Sequence, residues 1–250
     1  MNSSLEHRPP GLLQRPASAV IMAARQLLLC ALLALSGLAA AADGIASLEG
    51  DLDIGEEINE TCAGCHGEFG QGGKGGEYPR IAGQPRGFLI QQLLQFRDRT
   101  RLNLAMVEYV DHRQMPDEDI VHISAYLAQL QLPTKLPAVE ESAPGFNAYQ
   151  RLLEAKKIIQ IPRAAGDVNK GERLYGKECA SCHGKDGAGK HAKDVPMLAG
   201  QYTSYLWRQV PKYLDGRRVH DSDSPDEEIL AEFSDAELQD IFAYLSILDD

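Results

Sequence analysis

One hexapeptide occurs twice in this chain, as Cys62-Ala63-Gly64-Cys65-His66-Gly67 and as Cys179-Ala180-Ser181-Cys182-His183-Gly184. C-x-x-C-H is the attachment pattern of a c-type haem. The two thiols add across the porphyrin vinyl groups, and the His that follows is held under the ring, where its imidazole binds iron axially. The spacing is a chemical requirement, because the intervening residues set the sulfur separation. A lone C-x-x-C would leave a redox dithiol, a zinc site or chance open. Two copies, each with its His, favour haem over zinc. The expectation is two covalently bound haem c groups on Cys62, Cys65, Cys179 and Cys182, with His66 and His183 as proximal iron ligands.

Cysteine use narrows the alternatives further. Of five cysteines, four lie in the motifs and the fifth, Cys30, lies in an apolar leader. No thiol is then left for a disulfide, a structural zinc or a nucleophile. Arg25 precedes the apolar run from Gln26 to Leu35, and small residues follow up to Ala42. This is the layout of a secretory signal peptide, with cleavage expected after Ala42 and a periplasmic destination. Residues 1 to 21 do not resemble its charged start, so Met22 is a second candidate for the first residue. Bulky Leu29 before Cys30 argues against a lipoprotein site. The apolar run is short for a membrane span, although an uncleaved leader would anchor the protein to a membrane. No other stretch is apolar enough to cross a bilayer.

The formal net charge is −11, and removal of a leader with three basic and one acidic residue leaves −13. An acidic chain of this kind is a poor match for nucleic acid or anionic lipid and suits a soluble protein that meets a basic docking face.

Setting Cys62 on Cys179 aligns two segments at a constant offset of 117. Gly67, Gly70, Gly72 and Pro79 meet Gly184, Gly187, Gly189 and Pro196, and Ala82-Gly83-Gln84 meets Ala199-Gly200-Gln201. Phe88, Gln92 and Phe96 meet Tyr205, Gln209 and Tyr213; after one insertion, Ala125-Tyr126-Leu127 meets Ala243-Tyr244-Leu245. The chain is therefore one unit written twice. The expected layout is a cleaved leader over 1–42, a first domain over 43–132, a linker over 133–165 and a second domain over 166–250.

Each half reads as helix, motif, glycine-rich loop, helix, loop, helix, and no strand pattern occurs. Helices are expected over 87–97, 203–214, about 116–131 and 234–248. Pro116 suits a first helical position, and Ser234 with Glu237 forms a capping box. Gly55 and Gly171, inside apolar-periodic stretches, are expected to let the last helix approach through Tyr126 or Tyr244. The linker carries an amphipathic stretch from Phe146 to Ile159, with Leu152, Leu153, Ala155 and Ile159 on one side. It is expected to pack on a domain or between the two rather than to run free. A proline sits thirteen residues beyond each motif His. Its carbonyl is free of ladder duties, which makes Pro79 and Pro196 candidate acceptors for the other ring nitrogen of His66 and His183.

C-x-x-C-H-G, the loop glycines, P-x-(I/L)-A-G-Q and a terminal helix with A-Y-L resemble the class I c-type cytochromes. Their tandem arrangement is similar to the diheme cytochrome c-four class. The resemblance implies an all-α fold of two tandem cytochrome c domains that face each other across a pseudo-twofold, and His/Met ligation at both irons. It also implies single-electron shuttling from a quinol- or substrate-oxidising donor to a terminal oxidase or reductase, without catalysis. Met106, forty residues after His66, stands where this family places its axial Met. Its rival, Met115, aligns with Phe233 and reads as a core residue.

The second half departs from the pattern. The position matching Met106 falls on Asp223 or Ser224, in a stretch with no methionine. His220, thirty-seven residues after His183, would give bis-histidine ligation; Met197 and a vacant or water-bound iron are the other readings, with His191 a remote fourth. His112 and His122 read as surface residues. Two further functions stand beside the carrier: a peroxidase-like diheme oxidoreductase using an open second haem, and a cytochrome subunit of a dehydrogenase or oxidase complex.

Overall fold

The computed structural model describes residues 48–111, 113–159, 161–220 and 229–248. The leader, His112 and the acidic stretch 221–228 lie outside the described residues. Nine α-helices and three short 3-10 turns make up the regular structure among the described residues. In chain order the helices are α1 (Leu52–His66), α2 (Arg86–Arg97), α3 (Leu104–Tyr109), α4 (Asp117–Gln129), α5 (Ala148–Lys156), α6 (Val168–Glu178), α7 (Ala180–His183), α8 (Thr203–Leu214) and α9 (Asp235–Leu245). The described residues contain no strands, only the isolated bridges Gly73–Tyr78 and Lys190–Val195, themselves one repeat apart.

Helix starts follow from side chains that accept from the otherwise unpartnered first amides. Asp51 caps α1 through Asp53 and Ile54, Asp167 caps α6 through Lys170, and Ser234 with Glu237 closes a capping box on α9. Pro116 stands one residue outside α4 as its N-cap rather than at the first helical position. Asp117, Glu118 and Asp119 then place negative charge at the positive end of the helix dipole.

Each half closes by crossing its first helix with its last, and a glycine sets how near they come. A Cβ on Gly55 would lie 2.4 Å from the His122 carbonyl oxygen and 2.6 Å from Tyr126 Cβ. A Cβ on Gly171 would lie 1.9 Å from the Asp240 oxygen and 3.0 Å from Tyr244 Cβ. Backbone thus touches backbone at both crossings. Leu89, Ile123, Tyr126 and Leu127 form the core beside the first crossing. Tyr175, Val210, Leu238, Ile241, Phe242 and Leu245 form the core beside the second. His122, expected at the surface, is half-buried, and its Nδ1 accepts from the Asp51 N–H at 2.8 Å. It ties the start of α1 to α4.

The linker does pack, although through fewer residues than its amphipathic pattern suggests. No side chain of α5 is buried, and Leu152 is 57% exposed. Ile159, just beyond the helix, is buried against Ala82 and Leu132 of the first half.

The two halves meet through a reciprocal set of bonds. The Gln84 side chain accepts from the Met197 N–H at 3.0 Å and donates to the Met197 carbonyl at 3.0 Å. Gln201 does the same to Arg80, at 3.0 and 2.9 Å. Both glutamines are buried. Since 84 maps on 201 and 80 on 197, these contacts are one contact made twice, as a twofold interface requires. Around this centre, Asp194 accepts from the Gly87 N–H, and Ser204 and Arg208 donate to the carbonyls of Gly75 and Gly76.

The crossings generate the first test. Gly55→Ala and Gly171→Ala are each expected to cost about 1–3 kcal/mol through overpacking. Gly176→Ala, where an added methyl meets open space on exposed helix, is expected to gain about 0.4–1 kcal/mol. Guanidinium midpoints of the three variants check this; equal midpoints would contradict the close-approach account.

Candidate haem centres

Each proximal site is built at a helix end. His66 closes α1 and His183 closes α7, because the following glycine turns into a backbone conformation that a side chain opposes: φ is 81° at Gly67 and 82° at Gly184. That explains the final Gly of each hexapeptide. In the first half the motif continues α1, whereas in the second Cys179 interrupts the helix between α6 and α7. Within each pair the first Cys is half-buried and the second exposed, and none of the four is in a disulfide.

Both imidazoles are buried. His66 Nδ1 lies 2.9 Å from the Pro79 carbonyl oxygen, and His183 Nδ1 lies 2.8 Å from that of Pro196. A ring that donates there keeps the lone pair of Nε2 for a metal. Burial holds His66 below its ordinary value and pulls His183 down to about 4, so both rings are neutral near pH 7, the form that ligates. Burial also pushes the Cys62 and Cys179 thiols up to about 11, because a buried thiolate is costly. A thioether carries no such charge. Two thiols and a neutral, oriented imidazole within one turn fit a covalently bound haem.

The distal residues are placed less evenly. Met106 is half-buried on α3, a helix within the span expected as loop, and its carbonyl accepts the Val110 N–H. Met115 is buried at the entry to α4. In the second half the His183 and His220 rings face each other edge to face with centroids 5.9 Å apart, and Tyr213 lies 5.7 Å beyond His220. His183 and His220 are thus the residues that would hold a metal between them in this half.

Met197, the alternative ligand, is placed elsewhere. It is buried at the interface, both its backbone groups engage Gln84, and its terminal methyl lies 3.5 Å from the position of a Cβ on Gly83. Its side chain reaches into the first half. His191 is exposed in a 3-10 turn.

Comparison with known proteins agrees with this geometry. The profile of the family described as "Cytochrome c" matches residues 53–131 and again 168–249. The chain belongs to the cytochrome c family. It is 26% identical over 203 residues to cytochrome c4 of Pseudomonas aeruginosa, covering 81% of this chain and 90% of that protein. It is 31% identical to the thiosulfate dehydrogenase electron acceptor of Stutzerimonas stutzeri, covering 74% of this chain and 78% of that one. The crystal structure of reduced cytochrome c4 from Pseudomonas stutzeri superimposes with a TM-score of 0.61 at 22% identity, over 80% of this chain and 99% of that one, a likeness of fold. The chain is thus an all-α diheme electron-transfer cytochrome of two cytochrome c domains, with two covalently bound haem c groups.

Sequence reasoning marked Gln84 and Gln201 as part of a repeat without their role. The signal was there: a glutamine kept in both copies beside Ala-Gly, on a loop with no apolar pattern to satisfy. Gln84→Leu strands the buried N–H and C=O of Met197, and an unsatisfied buried group costs about 1–3 kcal/mol. Calorimetry should show a lowered melting temperature for Gln84→Leu or Gln201→Leu, and separate melting of the two halves when both are changed.

Proposed function

We propose that the chain is a periplasmic carrier that moves single electrons between two protein partners, with His66 and Met106 as ligands of one iron and His183 and His220 of the other. The observation that carries this reading is the reciprocal interface. Arg80 and Met197, each the residue after the proline whose carbonyl meets the motif His, are hydrogen-bonded to the glutamine of the other half. Two one-electron centres are thereby held in one rigid frame, which suits relay and offers no bond-making group of its own.

Haem iron, when bound, supplies reversible one-electron chemistry, and a thioether ligand raises its potential. The protein's own residues do the rest. Pro79 and Pro196 orient the imidazoles, burial keeps them neutral, and the exposed second cysteines mark where each cofactor edge nears the surface. His220 opposite His183 favours a filled second site over the open iron that a peroxidase-like enzyme needs. The name of the S. stutzeri relative supports a substrate-oxidising dehydrogenase as the donor. The acceptor on this reading is a terminal oxidase or reductase, and the acidic surface points to basic docking faces. Removal of residues 1–42 delivers a soluble protein with domains over 43–132 and 166–250 and a linker between them. Among the described residues no helix is long and apolar enough to cross a membrane.

Optical spectroscopy tests the ligand assignment. The oxidised protein should show the Met-to-ferric charge-transfer band at one haem equivalent, lost in Met106→Ala and kept in His220→Ala. The ferrous wild type should not bind carbon monoxide rapidly, whereas His220→Ala should bind it at one haem. Rapid binding in the wild type would replace the carrier reading with an enzyme that uses an open second iron.

A further inference from the structure

The linker is charged opposite to the halves that it joins. Residues 43–132 carry 15 acidic and 7 basic side chains, and residues 166–250 carry 17 and 10. Between 146 and 163 the balance reverses, with Arg151, Lys156, Lys157 and Arg163 against Glu154 alone. This stretch also falls between the two matched cytochrome c regions, which end at 131 and resume at 168. It is an addition to the repeated frame.

Asn147 fixes the start of α5 by accepting from the amides of Tyr149 and Gln150. Tyr149 is 64% and Leu152 57% exposed. With Lys156 they stand at i, i+3 and i+7, on one face of the helix. Arg151 is drawn to Glu154 at 3.4 Å, whereas among the described residues Lys156 and Lys157 pair with no carboxylate. Two surface crevices flank the Glu154–Lys157 side of the helix, of about 310 and 330 Å³. Phe69 and Leu153 line the first, where Lys157 lies over the Phe69 ring at 5.3 Å. Pro133, Leu136, Val139 and Ile158 line the second. Phe69 is the third residue past His66, so the first crevice lies beside the first haem motif.

Apolar crevices beside unpaired cations fit a partner that offers apolar anchors ringed by carboxylates. Interface cores are apolar, and complementary charge sets orientation and encounter rate. A lipid surface fits less well, because interfacial binding grows with the apolar area that a helix can bury. Here that area is two side chains on a nine-residue helix, and the other apolar groups are recessed in the crevices. Two copies of this chain, each at −13, repel one another. We propose that α5 and its flanking crevices form the docking face for an acidic redox protein, one of the two partners between which electrons move. The proposal rests on the carrier reading above. Opposite polarity lets both partners engage at once, a basic one on the acidic halves and an acidic one on α5.

Stopped-flow electron exchange between the reduced holoprotein and oxidised plastocyanin, a blue-copper protein with an acidic face, tests this. The double variant Lys156→Glu/Lys157→Glu should lower the second-order rate about tenfold at low ionic strength. Salt should narrow that difference, because the screening length shrinks from ~30 Å at 0.01 M to ~8 Å at 0.15 M. Leu152→Ser should slow exchange at every ionic strength. Hexacyanoferrate, a small anion that needs no docking face, should react with the variants within about twofold of the wild-type rate. Plastocyanin rates that the variants keep overturn the docking face, and so does an equal tenfold loss with hexacyanoferrate, which marks a general charge effect. Wild-type binding to phosphatidylglycerol vesicles that the variants lose, or a wild-type dimer in sedimentation that they lose, also overturns it, since a membrane or a second copy then covers the face. A wild type that exchanges electrons with neither probe overturns the carrier reading instead.

Discussion

A short bracket in each half supports the rest of the structure: a proline carbonyl that takes the motif histidine, followed by a peptide group that takes the other half's glutamine. The first bond orients an imidazole; the second fastens that orientation to a neighbouring domain. Proline suits the position because it brings no N–H that competes for partners. The interface is consequently not a separate feature laid over two finished domains. It uses the backbone that positions the motif histidines, so a disturbance of either is felt by the other.

Duplication explains why so much of this is symmetric. The glycine crossings, the bridges at Gly73–Tyr78 and Lys190–Val195, the paired glutamines and the paired arginines Arg101 and Arg218 all follow the 117-residue offset. Departures occur at the interface and in the segments that carry Met106 and His220. Phe88 has become Tyr205, which adds the hydroxyl between the two guanidiniums. The counterpart of the segment that holds Met106 on α3 lies outside the described residues, and His220, just before it, faces His183. The frame is thus held constant while the residues proposed as distal ligands differ.

Much of the fold was legible in the residues because its constraints are local or repeated. C-x-x-C-H-G states a covalent geometry, a glycine inside an apolar period states a helix crossing, and Ser234 with Glu237 states a helix start. The thirteen-residue interval from His to Pro drew attention to carbonyls that the structure places against the imidazoles. What escaped the sequence was non-local and polar. Gln84, Gln201, Arg101 and Arg218 have no periodicity to betray a partner more than a hundred positions away, although their recurrence at the repeat offset was a usable signal. His122 read as a surface residue because it bonds to a backbone amide seventy-one positions earlier. The short helix α3 has no side-chain cap and no fully buried residue, and six residues are too few to show a helical period.

The central claim is that two alike proximal frames carry unlike distal ligands. Proton NMR of the fully reduced protein tests it most directly, since a methionine bound to ferrous haem is shifted far upfield by the ring current. The account predicts one such set of methionine resonances, arising from Met106 and absent in Met106→Leu. Two sets, or a single set that survives in Met106→Leu, would contradict it.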